Sequence, residues 1–143
     1  MKPTWVVVVE AGRARIFEMQ GLDHPMREIE DLVNPEMRVP EHEIGTDRPG
    51  RTFDSKGRGR HAMEPATDPS RQKQMKFVQR IAARMEQGRG AEACRDFVLI
   101  AAPATLGLLR KALTKTAQRQ VRREIPKNVV REDENTIRNL LRG

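Results

Sequence analysis

Two short runs of consecutive apolar residues constrain this chain most: Trp5-Val6-Val7-Val8-Val9 and Phe97-Val98-Leu99-Ile100-Ala101. Side chains alternate between the two faces of a strand, so an unbroken apolar run needs cover on both sides. The β-branched valines favour a strand over a helix. Both runs are bounded by breakers, Glu10-Ala11-Gly12-Arg13 after the first and Pro103 after the second. The expected fold class is therefore α/β: a single domain over residues 1–143, built as a mixed β-sheet flanked by helices.

The surrounding pattern fills in the elements. Ala14 to Met19 reads as the return strand of a hairpin, and Arg27 to Val33 as a third strand with Ile29 and Val33 on one face. Regular periodicity then lapses from Asn34 to Thr67, where Pro35, Pro40, Pro49 and Pro65 alternate with Gly45, Gly50, Gly57 and Gly59. An irregular stretch of this length is uncommon in a compact domain and points to function or disorder. Asp68 and Pro69 open a helix as N-cap and first-turn proline. It is expected to end at about Gln87 before Gly88, with Met75, Val78, Ile81, Ala82 and Met85 as its apolar face. Leu106, Leu109 and Leu113 recur at helical spacing, Thr114 can cap a further short helix, and Val121–Ile125 reads as a last strand. Glu132 or Asp133 starts a terminal helix that buries Ile137, Leu140 and Leu141. Strand–helix alternation in this half implies parallel pairing.

Composition narrows the partner class. The net charge is +7, and phosphate-rich partners such as RNA, ribosomes or anionic membranes suit that sign. Aromatic residues make up only 3% of the chain, against a broad base-stacking platform. Cys94, the only cysteine, cannot form an internal disulfide and reads as a small core residue. No stretch approaches the roughly 18 apolar residues of a membrane span. The apolar start at Trp5 lacks the cleavage pattern of a signal peptide. The expected location is cytoplasmic; oligomeric state is left open.

Candidate site residues cluster in the irregular stretch. Between Asp47 and His61 stand five cations, Arg48, Arg51, Lys56, Arg58 and Arg60, against the carboxylates of Asp47 and Asp54. Glycines let backbone amides approach phosphate, guanidinium forks match its oxygens, and Phe53 offers a stacking face. Lys73, Lys76, Arg80 and Arg84 extend this as a cationic stripe on the following helix, beside its core stripe. A second basic tract comprises Arg110, Lys111, Lys115, Arg119, Arg122, Arg123 and Lys127, with Glu124 the one acid among them. Only a fold can decide whether the two tracts share a face. The Gly57-Arg58-Gly59 spacing fits neither the Walker A nor the dinucleotide pattern, so no nucleotide cofactor is expected. His61 and Glu64 are the weak candidates for an acid/base pair. Glu41-His42-Glu43 is too sparse to specify a metal, and none is expected.

Several segments in order resemble the bacterial host attachment protein family. They are Trp5 to Phe17, Asp47-Arg48-Pro49-Gly50-Arg51, Gly59-Arg60-His61-Ala62-Met63-Glu64-Pro65, Thr67-Asp68-Pro69, Ala102-Pro103 with Leu106-Gly107-Leu108-Leu109-Arg110, and Glu124-Ile125-Pro126-Lys127. That family is similar, more distantly, to the middle domain of archaeal and eukaryotic release factors and of Pelota. The resemblance implies strands, then a long basic loop that leads into a basic helix and reaches the peptidyl transferase centre, then an apolar strand. The stretch Gly57-Arg58-Gly59-Arg60-His61 lacks the Gly-Gly-Gln of release factors, so peptidyl-tRNA hydrolysis is not carried over. The reading that results is a ribosome- or RNA-associated protein. Its rivals are an ester hydrolase acting on peptidyl- or aminoacyl-tRNA through His61 and Glu64, and an adhesion factor acting through protein contacts.

Overall fold

The apolar run Trp5–Val9 lies in strand β1 (Thr4–Val9), all six residues of which are buried. A computed structural model describes residues 2–36 and 69–143. After β1 come β2 (Arg13–Met19), β3 (Arg27–Val33), helix α1 (Pro69–Gly90), β4 (Asp96–Ile100), α2 (Pro103–Ala112), α3 (Lys115–Arg119), β5 (Val121–Ile125) and α4 (Glu134–Arg142). The strands form one mixed sheet in the order β3-β2-β1-β4-β5. β1 pairs antiparallel with β2 and parallel with β4, which in turn pairs parallel with β5.

Alternation along the strands makes two cores. Trp5, Val7, Val9, Phe97 and Leu99 face α1, α2 and α3, where Phe77, Ile81, Met85, Leu106, Leu109, Leu113 and Ala117 meet them. Val6, Val8, Val98 and Ile100 face the other way, onto Phe17, Ile125, Val130, Ile137 and Leu141. The hairpin, the parallel pairing and the caps at Thr114 and Asp133 agree with the sequence reading. The Thr114 hydroxyl accepts from the Ala117 amide at 3.1 Å, and the Asp133 carboxylate from the Thr136 amide at 2.8 Å. That amide hydrogen bond favours the charged form and holds the Asp133 carboxyl below its usual range. Cys94 is buried, and loss of water pushes its thiol up to about 11.

The structure corrects five details. A register shift opposite Ile16 and Phe17 leaves Ile29 as an extra residue in β3. The phase of the strand flips there, so Leu32 joins Ile29 against the α1-side core and Val33 stays 43% exposed. Asn34 is buried rather than part of a loop: its side-chain amide donates to Ala11 and Lys73 carbonyls, and its Oδ1 accepts from the Glu36 amide. In α1, Phe77 is buried while Met75 is 40% exposed; in α4, Leu140 is only half-buried. Finally, α1 runs through Gly88 to Gly90. Asp68, the expected N-cap, lies outside the described residues.

Helix α1 ends at Gly90, and backbone bonds from the two residues Glu92 and Ala93 close it. The Ala93 amide donates to Gly88 and the Glu92 amide to Arg89, the paired bonds of a Schellman ending. Glu92 occupies the left-handed position, with φ at 60°. A side chain there costs roughly 1–2 kcal/mol. Its exposed 3.8 Å pair with Lys2 offsets little of this. Glu92→Gly is therefore expected to raise stability by about 1 kcal/mol in urea unfolding; an unchanged or lower midpoint would remove the strain argument.

Candidate polyanion-binding face

No acidic residue occurs between Asp68 and Glu86, nor between Asp96 and Glu124. These two gaps hold nearly all of α1 and the whole of α2 and α3, the helices that cover one face of the sheet. The three helices carry one carboxylate, Glu86, and Arg89 and the Thr114 hydroxyl bind it. The acids gather elsewhere: Glu28, Glu30 and Asp31 on β3, and Glu132, Asp133 and Glu134 at the start of α4. Charge is thus sorted largely by element, with Glu30 and Glu36 the acids that come up against α1. Basic residues dominate the α1–α3 side.

The cationic stripe of α1 divides into residues that line a groove and one that ties the helix to the sheet. Lys73, Lys76 and Arg80 line a shallow groove of ≈160 Å³ with Asn34, Pro35, Glu36 and Phe77. Lys76 and Arg80 are exposed. The Arg80 guanidinium lies 5.6 Å from the Phe77 ring centre, which steadies it while its charge faces water. Arg84 departs from the expected role. Its Nε donates to Glu30 at 2.9 Å and its guanidinium stacks 4.9 Å from the Trp5 ring centre, so it ties α1 to β3.

The second tract divides in the same way. Arg110 donates through two nitrogens to both oxygens of Glu124, at 3.2 and 2.6 Å. Arg123 turns to the opposite face and donates to the Leu141 and Gly143 carbonyls. Arg122 approaches Asp96 at 3.8 Å. These three arginines, with Leu113, Gln118, Val121 and Glu124, line a ≈370 Å³ cleft beside β5. Lys111, Lys115 and Arg119 are exposed on α2 and α3. The two tracts therefore share a face in part: Lys73, Lys76 and Arg80 lie on the side that carries Lys111, Lys115 and Arg119. The signal for this was present in the two acid-free gaps, but without the topology the gaps could not be joined.

Arg48, Arg51, Lys56, Arg58, Arg60, His61 and Glu64, together with Glu41-His42-Glu43, lie outside the described residues. The stretch that holds them is attached next to the α1 groove. Glu36 on its N-terminal side lines that groove, and Pro69 on its other side begins α1. Among the described residues no group of three or more His, Cys, Asp or Glu is placed to hold a metal ion. No described helix is long and apolar enough to cross a membrane.

Comparison with known proteins places the sequence in one group. Residues 5–141 match a family model described as "Protein required for attachment to host cells". No curated protein matches the chain. Among solved structures, one described as "Archaeal protein" matches with a TM-score of 0.51 and 8% identity, over 94% of this chain and 32% of its own. This chain thus spans about a third of that protein's length, and at such identity the likeness is one of fold.

Proposed function

The chain belongs to the family of proteins required for attachment to host cells, and we propose that within it this protein is a ribosome- or RNA-associated binder of phosphate. The observation that carries this reading is the acid-poor α1–α3 face, where Lys73, Lys76, Arg80, Lys111, Lys115 and Arg119 gather. Like charges on one face repel one another, and a polyanion relieves that repulsion while releasing its own counterions. Arg48, Arg51, Lys56, Arg58, Arg60 and His61 enter the reading from sequence alone, as a basic stretch attached beside the groove of Lys73, Lys76 and Arg80. The order of elements resembles the release-factor middle domain, which favours a ribosomal partner over a membrane. Hydrolysis forms no part of the proposal, because the Gly-Gly-Gln motif is absent. In this reading a role in attachment follows indirectly from an action on translation or RNA.

Sedimentation with ribosomal fractions, and binding to single-stranded RNA across a salt series, test the reading. Each phosphate contact on a single strand contributes about −0.7 to the slope of log affinity against log salt. Lys73→Ala/Lys76→Ala/Arg80→Ala is expected to flatten that slope by roughly 2 units, if each cation meets one phosphate. Exposed cations contribute little to folding, so the melting temperature should stay close to that of the parent. Arg58→Ala/Arg60→Ala should flatten it by roughly 1 to 1.5 units on the same grounds. Binding that ignores salt would refute the phosphate reading and favour the adhesion factor. Turnover of an aminoacyl or peptidyl ester that disappears in His61→Ala would favour the hydrolase.

A further inference from the structure

An apolar slot interrupts the basic face. It lies between α1 and α2, has a volume of ≈110 Å³, and is lined by Met75, Val78, Gln79, Leu108, Lys111 and Ala112. Met75 is one of the two large apolar side chains that are well exposed among the described residues, at 40%. Below it, Val78 belongs to the core, and Leu108 and Ala112 pack against that core while keeping part of their surface in water. The slot is far below the roughly 300–1,000 Å³ of a drug-sized ligand pocket and suits a single planar ring.

Its surroundings identify the ring. Lys111 is part of the wall itself. Lys76 and Arg80 each follow a slot residue by one position, which sets them about 100° further round α1. On the far side of that crest lies the groove of Lys73, Lys76, Phe77 and Arg80. An extended strand crossing the roughly 10 Å width of α1 would meet cations before, on and after the crest. No carboxylate lines the slot. The Gln79 amide, exposed at the rim, offers both a donor and an acceptor, the pairing that a base edge requires. A thioether adapts its shape and makes favourable contacts with aromatic rings. Met75 thereby provides the ring contact on a face where the sole described aromatic lining residue, Phe77, is buried.

Building on the phosphate-binding reading, we infer that the α1–α2 slot receives one unpaired nucleobase of a single-stranded RNA whose backbone crosses α1 over Lys76 and Arg80. The ring enters between Met75, Leu108 and Ala112, Gln79 meets its edge, and Lys111 neutralises an adjoining phosphate. Duplex RNA keeps its bases stacked and cannot supply the ring.

Fluorescence anisotropy with two probes of equal length and phosphate count separates this inference from the reading beneath it. One probe is an oligouridylate and the other an abasic spacer oligonucleotide. The intact protein is expected to bind the oligouridylate about fivefold more tightly, because the thioether–ring contact and the Gln79 edge hydrogen bond are made only when a base is present. The two salt slopes should coincide. Met75→Ala/Gln79→Ala should bring the oligouridylate down to the abasic affinity and leave abasic binding unchanged; Met75→Leu, which keeps the slot apolar, should retain most of the preference. Equal binding of both probes by the intact protein, with steep salt slopes, overturns the base slot and leaves the phosphate reading standing. Binding of neither probe overturns both.

Discussion

Gly88→Ala is expected to lower stability by about 2 kcal/mol, although the same exchange stabilises an ordinary exposed helix position by about 1 kcal/mol. A Cβ on Gly88 would stand 2.2 Å from Cη2, 2.5 Å from Cζ3 and 2.9 Å from Cζ2 of Trp5. The indole has no room to give way. It is 1% exposed, packs edge-on against Phe97 at 6.2 Å, and carries Arg84 on its face. Overpacking of such a site typically costs 1–3 kcal/mol and sometimes more, and here it exceeds the helix-propensity gain. Gly90 supplies the control two residues on, where an added Cβ meets nothing within 4 Å. Gly90→Ala should be neutral or slightly stabilising. Urea unfolding followed through the fluorescence of Trp5, the only tryptophan, reads both variants. If Gly88→Ala unfolds at the parent midpoint, the close contact does not limit packing. A Gly88→Ala/Trp5→Leu double variant, followed by circular dichroism, should show a smaller combined loss than the sum of the singles.

A loss of about 3 kcal/mol is expected for Arg15→Met. Arg15 stands on β2 and is 9% exposed. Its Nε and Nη2 donate to the two oxygens of Glu28 at 3.0 and 2.9 Å, while Nη1 donates to the Val130 and Glu132 carbonyls at 2.8 and 2.7 Å. The guanidinium also lies 4.9 Å from the Phe17 ring centre. Methionine fills similar space but leaves the buried Val130 carbonyl, the Glu132 carbonyl and the water-accessible Glu28 carboxylate without their donor; hydrogen bonds to a charged group are worth about 1.5–3 kcal/mol each. Arg15→Lys should recover only part of the loss, because an ammonium cannot serve the fork and both carbonyls in one geometry. Arg15→Met/Glu28→Leu should recover more, since no charge is then stranded. Amide exchange should accelerate first in α4, whose leading segment Arg15 holds against the sheet. Arg15→Met within 0.5 kcal/mol of the parent would show that water replaces these bonds without cost. The proposed RNA binding should be unaffected at temperatures where the variant is folded, since Arg15 lies under the face opposite α1.

The same contrast between local pattern and tertiary placement runs through the candidate site. Lys73, Lys76 and Arg80 were legible as a cationic stripe, because charge at helical spacing on an acid-free segment is a local property. Arg84 belongs to the same stripe by spacing, yet Glu30 on β3 and the Trp5 ring withdraw it. Its partners are 54 and 79 residues away, and no local signal names them. Arg110 and Arg123 are likewise taken by Glu124 and by the end of α4. Met75 was read as core because it completes an apolar stripe with Val78 and Met85; the position of α2 decides that it rims a slot instead.

The sequence by itself determined the strands, the helices and the α/β class. Unbroken apolar runs at Trp5–Val9 and Phe97–Ala101 have no stable home except a sheet covered on both faces. The capping residues Thr114 and Asp133 act on amides three residues away, so their effect is local and readable. Tertiary structure alone decided what the basic residues do. A cation contributes to a binding face only where no carboxylate or carbonyl from another element reaches it, and those elements are brought near by the sheet order, not by the chain. It also decided that Gly88 is a packing position, because the atoms that forbid a side chain there belong to Trp5 on β1, 83 residues earlier in the chain.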